Sequence, residues 1–361
     1  MRISFGSLVA LAAACLCTMT FGDVVYGQIT RECAGVDAGC LFSLKPVPGV
    51  RIVRFRHYPR RPAHYVSGDR YTTLATARET RNHFTALDFL VPPGGGPFPH
   101  THIHEWEIFF VVQGTANFYM DVDPNPPFNL AEQAIGPGTA VYAPKCRVMG
   151  FTNRSGAPAR ILNLALPAGI DNLFHLVGDE VVHYNAPIPP PTPEQLMRLA
   201  FWGERESQDI YFPGGPPPAC PGVPERVVSS ITDPTRPLEV GPFGETRVVL
   251  VTPTEVGDLT GATAFCGFGP PGRPGGTVKY SHFSLPNQHG FPPPYISENT
   301  ELFYGLGGTL EFLLGDDQQK RVRVGPMDFV EIQAGVPFSI ANLRRGPAEA
   351  LAISVIAPLC Q

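Results

Sequence analysis

Apolar residues recur in short runs from Val50 onward, and proline- and glycine-rich stretches separate the runs. Several runs alternate apolar with polar side chains, which is the period of a strand that buries one face. Aromatic and β-branched residues, which favour strands, are frequent in them. The strands predicted in the first half of the chain are Tyr71–Thr76, Phe84–Val91, Glu107–Val112, Ala116–Asp121, Ala140–Tyr142 and Ala159–Leu166. The pattern therefore predicts an all-β fold of many short strands.

One segment carries the signature of a helix start. Thr192 is a good N-cap, Pro193 suits the first helical position, and Gln195 follows the cap by three residues. Gly203 is the predicted end of this helix. Because a stiff proline-rich stretch precedes the helix, we assign residues 186–225 to a linker that contains it.

The second half of the chain repeats the first. Glu107 aligns with Glu301 at an offset of 194 residues, and the segments on either side align at the same offset. Further on, Asn153 aligns with Asn342 at an offset of 189 residues, which fits a shorter surface loop in the second copy. The repeat predicts two similar β-barrels, an N-terminal one in residues 28–185 and a C-terminal one in residues 226–361.

Composition narrows the classes of partner. Charged residues make up 16% of the chain, the formal net charge is -5, and there is no basic run that would favour nucleic acid. The 41 prolines and 38 glycines show no collagen period, and 43% hydrophobic residues argue against disorder. We expect a small-molecule substrate, no nucleic acid, and a second copy of the chain in a homodimer.

Residues 1–27 have the composition of a secretory signal peptide. Arg2 is the only charge before Asp23, and the apolar core Leu8–Leu16 is too short to span a bilayer. We expect cleavage at Gly22 or Gly27. No later stretch is long and apolar enough for a membrane helix, so we expect a secreted, extracellular protein that has no membrane partner after cleavage.

Cysteine usage agrees with export. An even number of cysteines remains after the predicted cleavage, which suggests disulfides. These residues are Cys33, Cys40, Cys146, Cys220, Cys266 and Cys360. We expect Cys33 and Cys40 to pair, while Cys146 and Cys266 are either disulfide-bonded or buried free thiols. Asn153-Arg154-Ser155 also forms a glycosylation sequon.

The candidate chemistry lies in one stretch of alternating histidines. His100, His102 and His104 are separated by single residues, and Glu107 follows at the start of a predicted strand that ends at Gly114. Side chains two apart on a strand share a face, so His100 and His102 point the same way and His104 could extend the set. Imidazole and carboxylate groups on one face suit a first-row transition metal.

This stretch resembles the first sequence motif of the cupin superfamily in its spacing, which is His100-x-His102, four residues, Glu107, six residues and Gly114. The resemblance implies that His100, His102 and Glu107 are metal ligands inside a small β-barrel. Two fused barrels, a secretion signal and the PPGGGP lead resemble the quercetin 2,3-dioxygenase-like bicupins. That resemblance implies a catalytic Glu107 that ligates the metal and takes a proton from the substrate hydroxyl.

The first barrel departs from the family at the expected fourth ligand. Met149 stands where the second cupin motif supplies a histidine, and a thioether is a soft ligand that suits copper better than iron or manganese. Three alternatives follow. The site is a facial set of two histidines and one carboxylate with open positions, a shell completed by His104, or a degenerate and empty site.

The second barrel departs further. Pro294 and Ile296 replace the two histidines, and Phe338 stands at the fourth position, so that only Glu301 remains. We therefore expect one divalent transition metal per chain (iron or copper, or else manganese) in the N-terminal barrel and none in the C-terminal barrel.

Two functions are compatible with these observations. One is a metal-dependent dioxygenase that acts on a small phenolic or enolic, flavonol-like substrate. The alternative is a non-catalytic secreted bicupin that binds a small molecule or has a storage or structural role. The aromatic residues proposed for the substrate pocket are Phe98, Trp106, Phe109 and Tyr119.

Overall fold

A computed structural model describes residues 47–103, 105–121, 130–202, 210–211, 227–252, 277–287, 289–316 and 320–356. Antiparallel strands dominate these residues, and the predicted all-β class is confirmed. The predicted signal peptide, His104, Gly203 and every cysteine except Cys146 lie outside them. Among the described residues, no helix is long and apolar enough to cross a membrane.

The first barrel is built from two antiparallel sheets that enclose an apolar interior. Its strands are β2 (Ala63–Val66), β3 (Asp69–Ala75), β4 (Thr85–Val91), β5 (His100–His102), β6 (Trp106–Gln113), β7 (Ala116–Asp121), β8 (Leu130–Ile135), β9 (Thr139–Ala143), β10 (Val148–Thr152), β11 (Ala159–Leu166), β12 (Asp179–Glu180), β13 (Ile210–Tyr211) and β14 (Val227–Ser230). The larger sheet has the order β12-β2-β3-β4-β11-β6-β9-β14, and the smaller has the order β13-β5-β10-β7-β8.

The second barrel has the same plan with fewer strands. Its strands are β1 (Val50–Val53), β15 (Leu238–Gly241), β16 (Gly244–Thr252), β17 (Thr277–Leu285), β18 (Thr300–Gly307), β19 (Leu310–Leu314), β20 (Lys320–Val324), β21 (Phe329–Ile332), β22 (Phe338–Ala341) and β23 (Ala348–Ile356). The larger sheet has the order β1-β21-β18-β23-β17-β16-β15, and the smaller has the order β20-β19-β22.

The strands agree with the sequence repeat. Strands β6 and β18 begin 194 residues apart, as do β7 and β19, whereas β11 and β23 begin 189 residues apart. Glu107 lies opposite Ala165 on β11, and Glu301 lies opposite the equivalent Ser354 on β23. The two predicted barrels are therefore present, and they place these two glutamates at equivalent positions.

The two halves of the chain exchange edge strands. Strand β1 pairs with β21, with Val50 opposite Ile332, although β1 lies in the first half of the sequence. Conversely, β14 pairs with β9, with Val227 opposite Tyr142. The predicted bounds, 28–185 and 226–361, thus follow the sequence repeat. Each sheet also contains a strand from the other half of the chain, because the repeat carries no signal for pairing between distant strands.

The larger sheets of the two barrels share a hydrophobic core. Residues on the outer face of β6, including Ile108 and Phe110, belong to one buried cluster with Tyr280, Tyr304 and Leu351 of the second barrel. Alternate residues of β6 face the first barrel's interior instead. One strand therefore supplies both the contact between barrels and the interior wall.

Two helices pack against the first barrel. Helix α1 (Ile170–Val177) was not predicted, although its buried residues Ile170, Leu173, Phe174 and Val177 have helical spacing. Helix α2 (Pro193–Leu199) begins where the sequence indicates, with the Thr192 hydroxyl accepting a hydrogen bond from the backbone N–H of Gln195 at 3.1 Å. A short 3₁₀ helix spans Phe55–Arg60.

The asparagine of the glycosylation sequon is buried and holds a loop by hydrogen bonds. The Asn153 side chain has no exposed surface, and its amide donates to the carbonyls of Val91 at 2.9 Å and Ala157 at 2.7 Å. Asn342, at the repeat-equivalent position, donates to the carbonyls of Leu285 and Gly346 in the same way. Asn342 is not part of a sequon, so these hydrogen bonds to the loop explain why both positions carry an asparagine.

Candidate metal centre

Two strands from different sheets, β5 and β6, bring the predicted ligands together. His100 and His102 lie on β5 and Glu107 lies on β6, and all three are buried. The Nε2 atoms of the two histidines are 3.2 Å apart, and Nε2 of His102 is 3.5 Å from Oε2 of Glu107. One ligand atom from each of the three residues lies within 4.8 Å of the others.

Hydrogen bonds fix two of these side chains. Nδ1 of His100 is 2.6 Å from the carbonyl oxygen of Phe98, which can only accept, so Nδ1 carries the hydrogen and Nε2 presents a lone pair. The amide of Asn163 on β11 donates to Oε1 of Glu107 at 3.0 Å. Oε2 of Glu107 therefore remains directed toward His102.

The arrangement fits a transition metal. Two ligand atoms about 2.1 Å from one ion and at right angles to each other lie about 3 Å apart, close to the distances observed here. Two imidazoles and one carboxylate are the donor set of facial sites that keep open positions. The cluster comprises His100, His102 and Glu107 in the part of the chain that the structure describes.

Met149 lies beside this cluster. It is opposite His100 in the pairing of β10 with β5, is buried, and contributes to the wall of the same cavity. The repeat-equivalent position carries a phenylalanine, Phe338. The structure thus places a thioether, and no imidazole, next to the candidate ligands on this side.

The ligands open onto an apolar cavity of about 520 Å³, counted out to the solvent at its mouth. Small-molecule sites are typically lined by apolar and aromatic side chains, with a few polar groups that orient the ligand. The residues that line it are Val66, Ser67, Tyr71, Phe89, Pro97, Phe98, His100, His102, Glu107, Phe109, Met149, Phe151, Ile170, Phe174, Leu199 and Ile210. Aromatic rings thus form much of the wall that faces the three ligands.

Comparison with known families gives one match in this part of the chain. Residues 87–165 match the family model described as the cupin domain. This match spans β4 to β11 and therefore includes both ligand strands and Asn163. A sequence search of curated proteins finds no match.

Similar solved structures cover both cupin barrels. A protein of Pseudomonas aeruginosa described as glyoxylate-induced is 14% identical, with a TM-score of 0.53 over 89% of this chain and 93% of that chain. Procruciferin, an 11S globulin from Brassica napus, is 12% identical, with a TM-score of 0.53 over 85% of this chain and 84% of that chain. The 7S globulin of Momordica charantia is 12% identical, with a TM-score of 0.51 over 86% and 85%. At these identities, the likeness shows the cupin fold alone.

Two of the four predicted pocket aromatics line the cavity of the cupin domain. Phe109 is buried in its wall, and Phe98 lies in the wall with 57% of its surface exposed. Trp106 instead packs against Tyr142 at 5.7 Å between ring centroids, and Tyr119 accepts a hydrogen bond from Arg154. Neither residue lines the cavity, because each is one position away from an inward-facing residue on its strand.

Two groups that sequence reasoning missed lie at the cavity. Tyr71 lines it, and its hydroxyl is 3.1 Å from Oδ2 of the buried Asp69. The backbone N–H of Gly96 donates to Oδ1 of Asp69 at 3.0 Å. A Cβ on Gly95 would come within 2.4 Å of that same oxygen, which explains the glycine at this position. Burial raises the pKa of Asp69 well above its usual range.

The linker also contributes to the cavity. Leu199 comes from α2, and Ile210 comes from β13, which pairs with β5 so that Ile210 lies opposite His102. Together with Ile170 and Phe174 of α1, these residues complete the wall on the side of the helices. Sequence alone gave no signal that the linker folds back onto the first barrel.

The second cupin barrel is filled with rings at the corresponding place. Glu301 accepts hydrogen bonds from the hydroxyls of Ser297 at 2.6 Å and Ser354 at 2.9 Å, and burial raises its pKa. Tyr295 lies opposite Phe338, and their ring centroids are 5.5 Å apart. The aromatic rings of Phe243, Phe283, Phe303 and Phe312 pack within the same group.

The strand pairing beside Phe338 is shifted by one residue relative to the pairing beside Met149. In the first barrel Met149 lies opposite His100, whose repeat equivalent is Pro294, but Phe338 lies opposite Tyr295. A shift of one residue exchanges the two faces of a strand. Ile296, equivalent to His102, is accordingly 59% exposed.

Proposed function

We propose that the first barrel is the site of a metal-dependent dioxygenase for a small phenolic or enolic, flavonol-like substrate. The observation that carries this proposal is the convergence of two buried histidines and one buried glutamate on an aromatic cavity. Met149 strengthens it, because a thioether at the fourth position leaves room for substrate or dioxygen where a histidine would compete.

The residues that would hold the ion are His100 and His102 through Nε2 and Glu107 through its carboxylate. A divalent iron, copper or manganese ion bound there would supply Lewis acidity toward a substrate oxygen and a redox partner for dioxygen. Phe98 orients His100 through its carbonyl, and Asn163 orients Glu107 through its amide.

The remaining residues bind and shield the substrate. Phe109, Phe151 and Phe89 are in mutual ring contact and present a wall suited to a planar aromatic molecule. Phe174 and Leu199 cover the side of the helices and exclude water from the reacting atoms. Glu107 is the catalytic residue of the proposal, since its carboxylate can take the proton of a substrate hydroxyl.

Dioxygen consumption tests this function. Purified protein loaded separately with iron, copper or manganese should consume dioxygen when a flavonol such as quercetin is added, and should consume the flavonol in step. Glu107→Gln should abolish the reaction. Its matched control, Glu301→Gln, changes the equivalent residue of the second barrel and should leave the rate unchanged.

If no metal-loaded form consumes dioxygen with any flavonol tested, the dioxygenase proposal is wrong. Flavonol binding without turnover would then favour the alternative, a non-catalytic bicupin that binds a small molecule.

We also propose that the protein acts after export, on the basis of the signal-like residues 1–27 and the even cysteine number that follows. Cell fractionation with mass spectrometry of the N-terminus would test this. Recovery of the mature chain outside the cells, beginning after Gly22 or Gly27, is the expected result, and an intact N-terminus inside the cells would contradict it.

A further inference from the structure

Tyr71 lines the same cavity as the candidate metal ligands, and Ser67 is the other hydroxyl-bearing residue among the described lining residues. Its ring is fixed by contacts with Phe89 and Phe174, whose centroids both lie 4.4 Å away, and both of these residues also line the cavity. Tyr71 lies on β3, so it reaches the cavity from a different strand than the ligands on β5 and β6. A ligand in the cavity can therefore contact polar groups from separate strands.

Asp69 fixes the position of the Tyr71 hydroxyl. Both carboxylate oxygens of Asp69 have a partner, with Gly96 N–H at Oδ1 and the tyrosine hydroxyl at Oδ2, and the residue has no exposed surface. Gly95 allows the loop before the histidines to approach Asp69 closely, since a side chain at this position would collide with the carboxylate. The chain thus buries a carboxyl group that is hydrogen-bonded to Tyr71, a residue of the cavity wall.

The hydroxyl of Tyr71 retains hydrogen-bonding capacity after this contact. A phenolic oxygen has one hydrogen and two lone pairs, and the bond to Asp69 uses one of these three. Whichever partner supplies the hydrogen to that bond, a lone pair of the Tyr71 oxygen remains. It can accept a hydrogen bond from a hydroxyl group of a ligand.

We infer that Tyr71, positioned by Asp69, is a second polar anchor and a specificity-determining residue, and that the cavity selects aromatic ligands with two or more hydroxyl groups. One ligand oxygen lies toward Glu107 and a second hydroxyl binds Tyr71. This inference rests on the proposed binding of a phenolic ligand, but it does not depend on the metal or on turnover.

Ligand affinity in metal-free protein tests the inference. The probes are quercetin and flavonols that each lack one of its hydroxyl groups, and calorimetry of the chelator-treated full chain measures their dissociation constants. In the wild-type protein, removal of one particular hydroxyl should weaken binding about five- to tenfold, the size of one net hydrogen bond. In Tyr71→Phe, quercetin should lose the same factor and the two ligands should bind equally.

Two further variants make the result specific. Tyr142→Phe removes a tyrosine hydroxyl outside this cavity and should keep the wild-type discrimination. Asp69→Ala keeps Tyr71 but removes the group that positions it, and should weaken the discrimination. If Tyr71→Phe and Asp69→Ala both discriminate as the wild type does, or if no flavonol binds, the inference is wrong. Metal content measured on the same proteins before chelator treatment, after supply of excess iron, copper or manganese, separates this failure from failure of the metal proposal.

Discussion

At the scale of single residues, the candidate site depends on what Met149 does. If the site works with three protein ligands, the thioether keeps a coordination position open. If the site has decayed from a four-ligand one, the thioether marks a lost ligand. The buried geometry favours the first account, because His100 donates a hydrogen bond to the Phe98 carbonyl and Glu107 accepts one from the Asn163 amide.

The substitution Met149→His separates these two accounts. We expect it to raise metal affinity only modestly and to lower dioxygen consumption with flavonols, because the added imidazole competes with substrate or dioxygen. Metal titration and an oxygen electrode measure the two effects. A variant that binds metal tightly, beside a wild-type protein that binds none, would show that the site has decayed.

Asn163 offers a second test at this scale. Asn163→Ala removes the hydrogen bond to Oε1 of Glu107, and loss of such a supporting partner typically lowers metal affinity about 10- to 100-fold. Ser354→Ala is the matched control, because it removes the hydrogen bond that the Ser354 hydroxyl donates to Glu301 in the second barrel. We expect the control to leave metal affinity unchanged; equal affinities of all three proteins would contradict the role of Asn163.

At the scale of elements, the buried side chains of Asn153 and Asn342 hold equivalent loops in the two barrels by hydrogen bonds to backbone carbonyls. Asn153→Ala removes the hydrogen bonds to the buried carbonyl of Val91 and to the carbonyl of Ala157, and we expect it to lower the free energy of unfolding by roughly 2–4 kcal/mol. Asn342→Ala should cost a similar amount. Urea denaturation measures both. An Asn153→Ala protein as stable as the wild type would show that the buried amide contributes little.

The same scale shows which parts of the fold and site the sequence carries. The alternation of His100 with His102 and the apolar run after Glu107 are local signals, so the strands and the cluster of candidate ligands were predictable. Asn163 and Tyr71 reach the site through pairing of β11 and β3 with neighbouring strands, which no local pattern reports. Trp106 is next to Glu107 but does not line the cavity, because adjacent residues of a strand face opposite sides.

At the scale of the whole molecule, charged residues tie the exchanged strand β1 to both barrels. Arg51 on β1 is 2.9 Å from Glu331 and 3.6 Å from Glu79, and Arg61 forms a two-pronged ion pair with Glu79. Burial alone would raise the pKa of Glu79, but the hydrogen bonds and charge of Arg61, with the charge of Arg51, lower it to about 2. Glu79 is therefore ionised in the folded state at neutral pH.

This ion pair predicts a dependence of stability on pH. A carboxyl group whose folded pKa lies below its unfolded value stabilises the fold above the unfolded value, and the contribution is lost as pH falls through the folded value. We expect Glu79→Gln to cost roughly 2 kcal/mol at pH 7 after allowance for solvent screening, and progressively less from about pH 4.5 down toward pH 2. Urea denaturation of both proteins across this range measures the difference; a pH-independent difference would contradict the prediction.

The two similar barrels differ in their interiors, with a cluster of candidate metal ligands in the first and packed aromatic rings in the second. Metal content per chain, measured on protein supplied with excess iron, copper or manganese, tests whether this difference is one of function. We predict one equivalent in the wild-type protein and in Phe338→Ala, and none in His100→Ala. Two equivalents per chain would contradict the assignment of the second barrel, and a wild-type protein that binds no metal would contradict the metal centre itself.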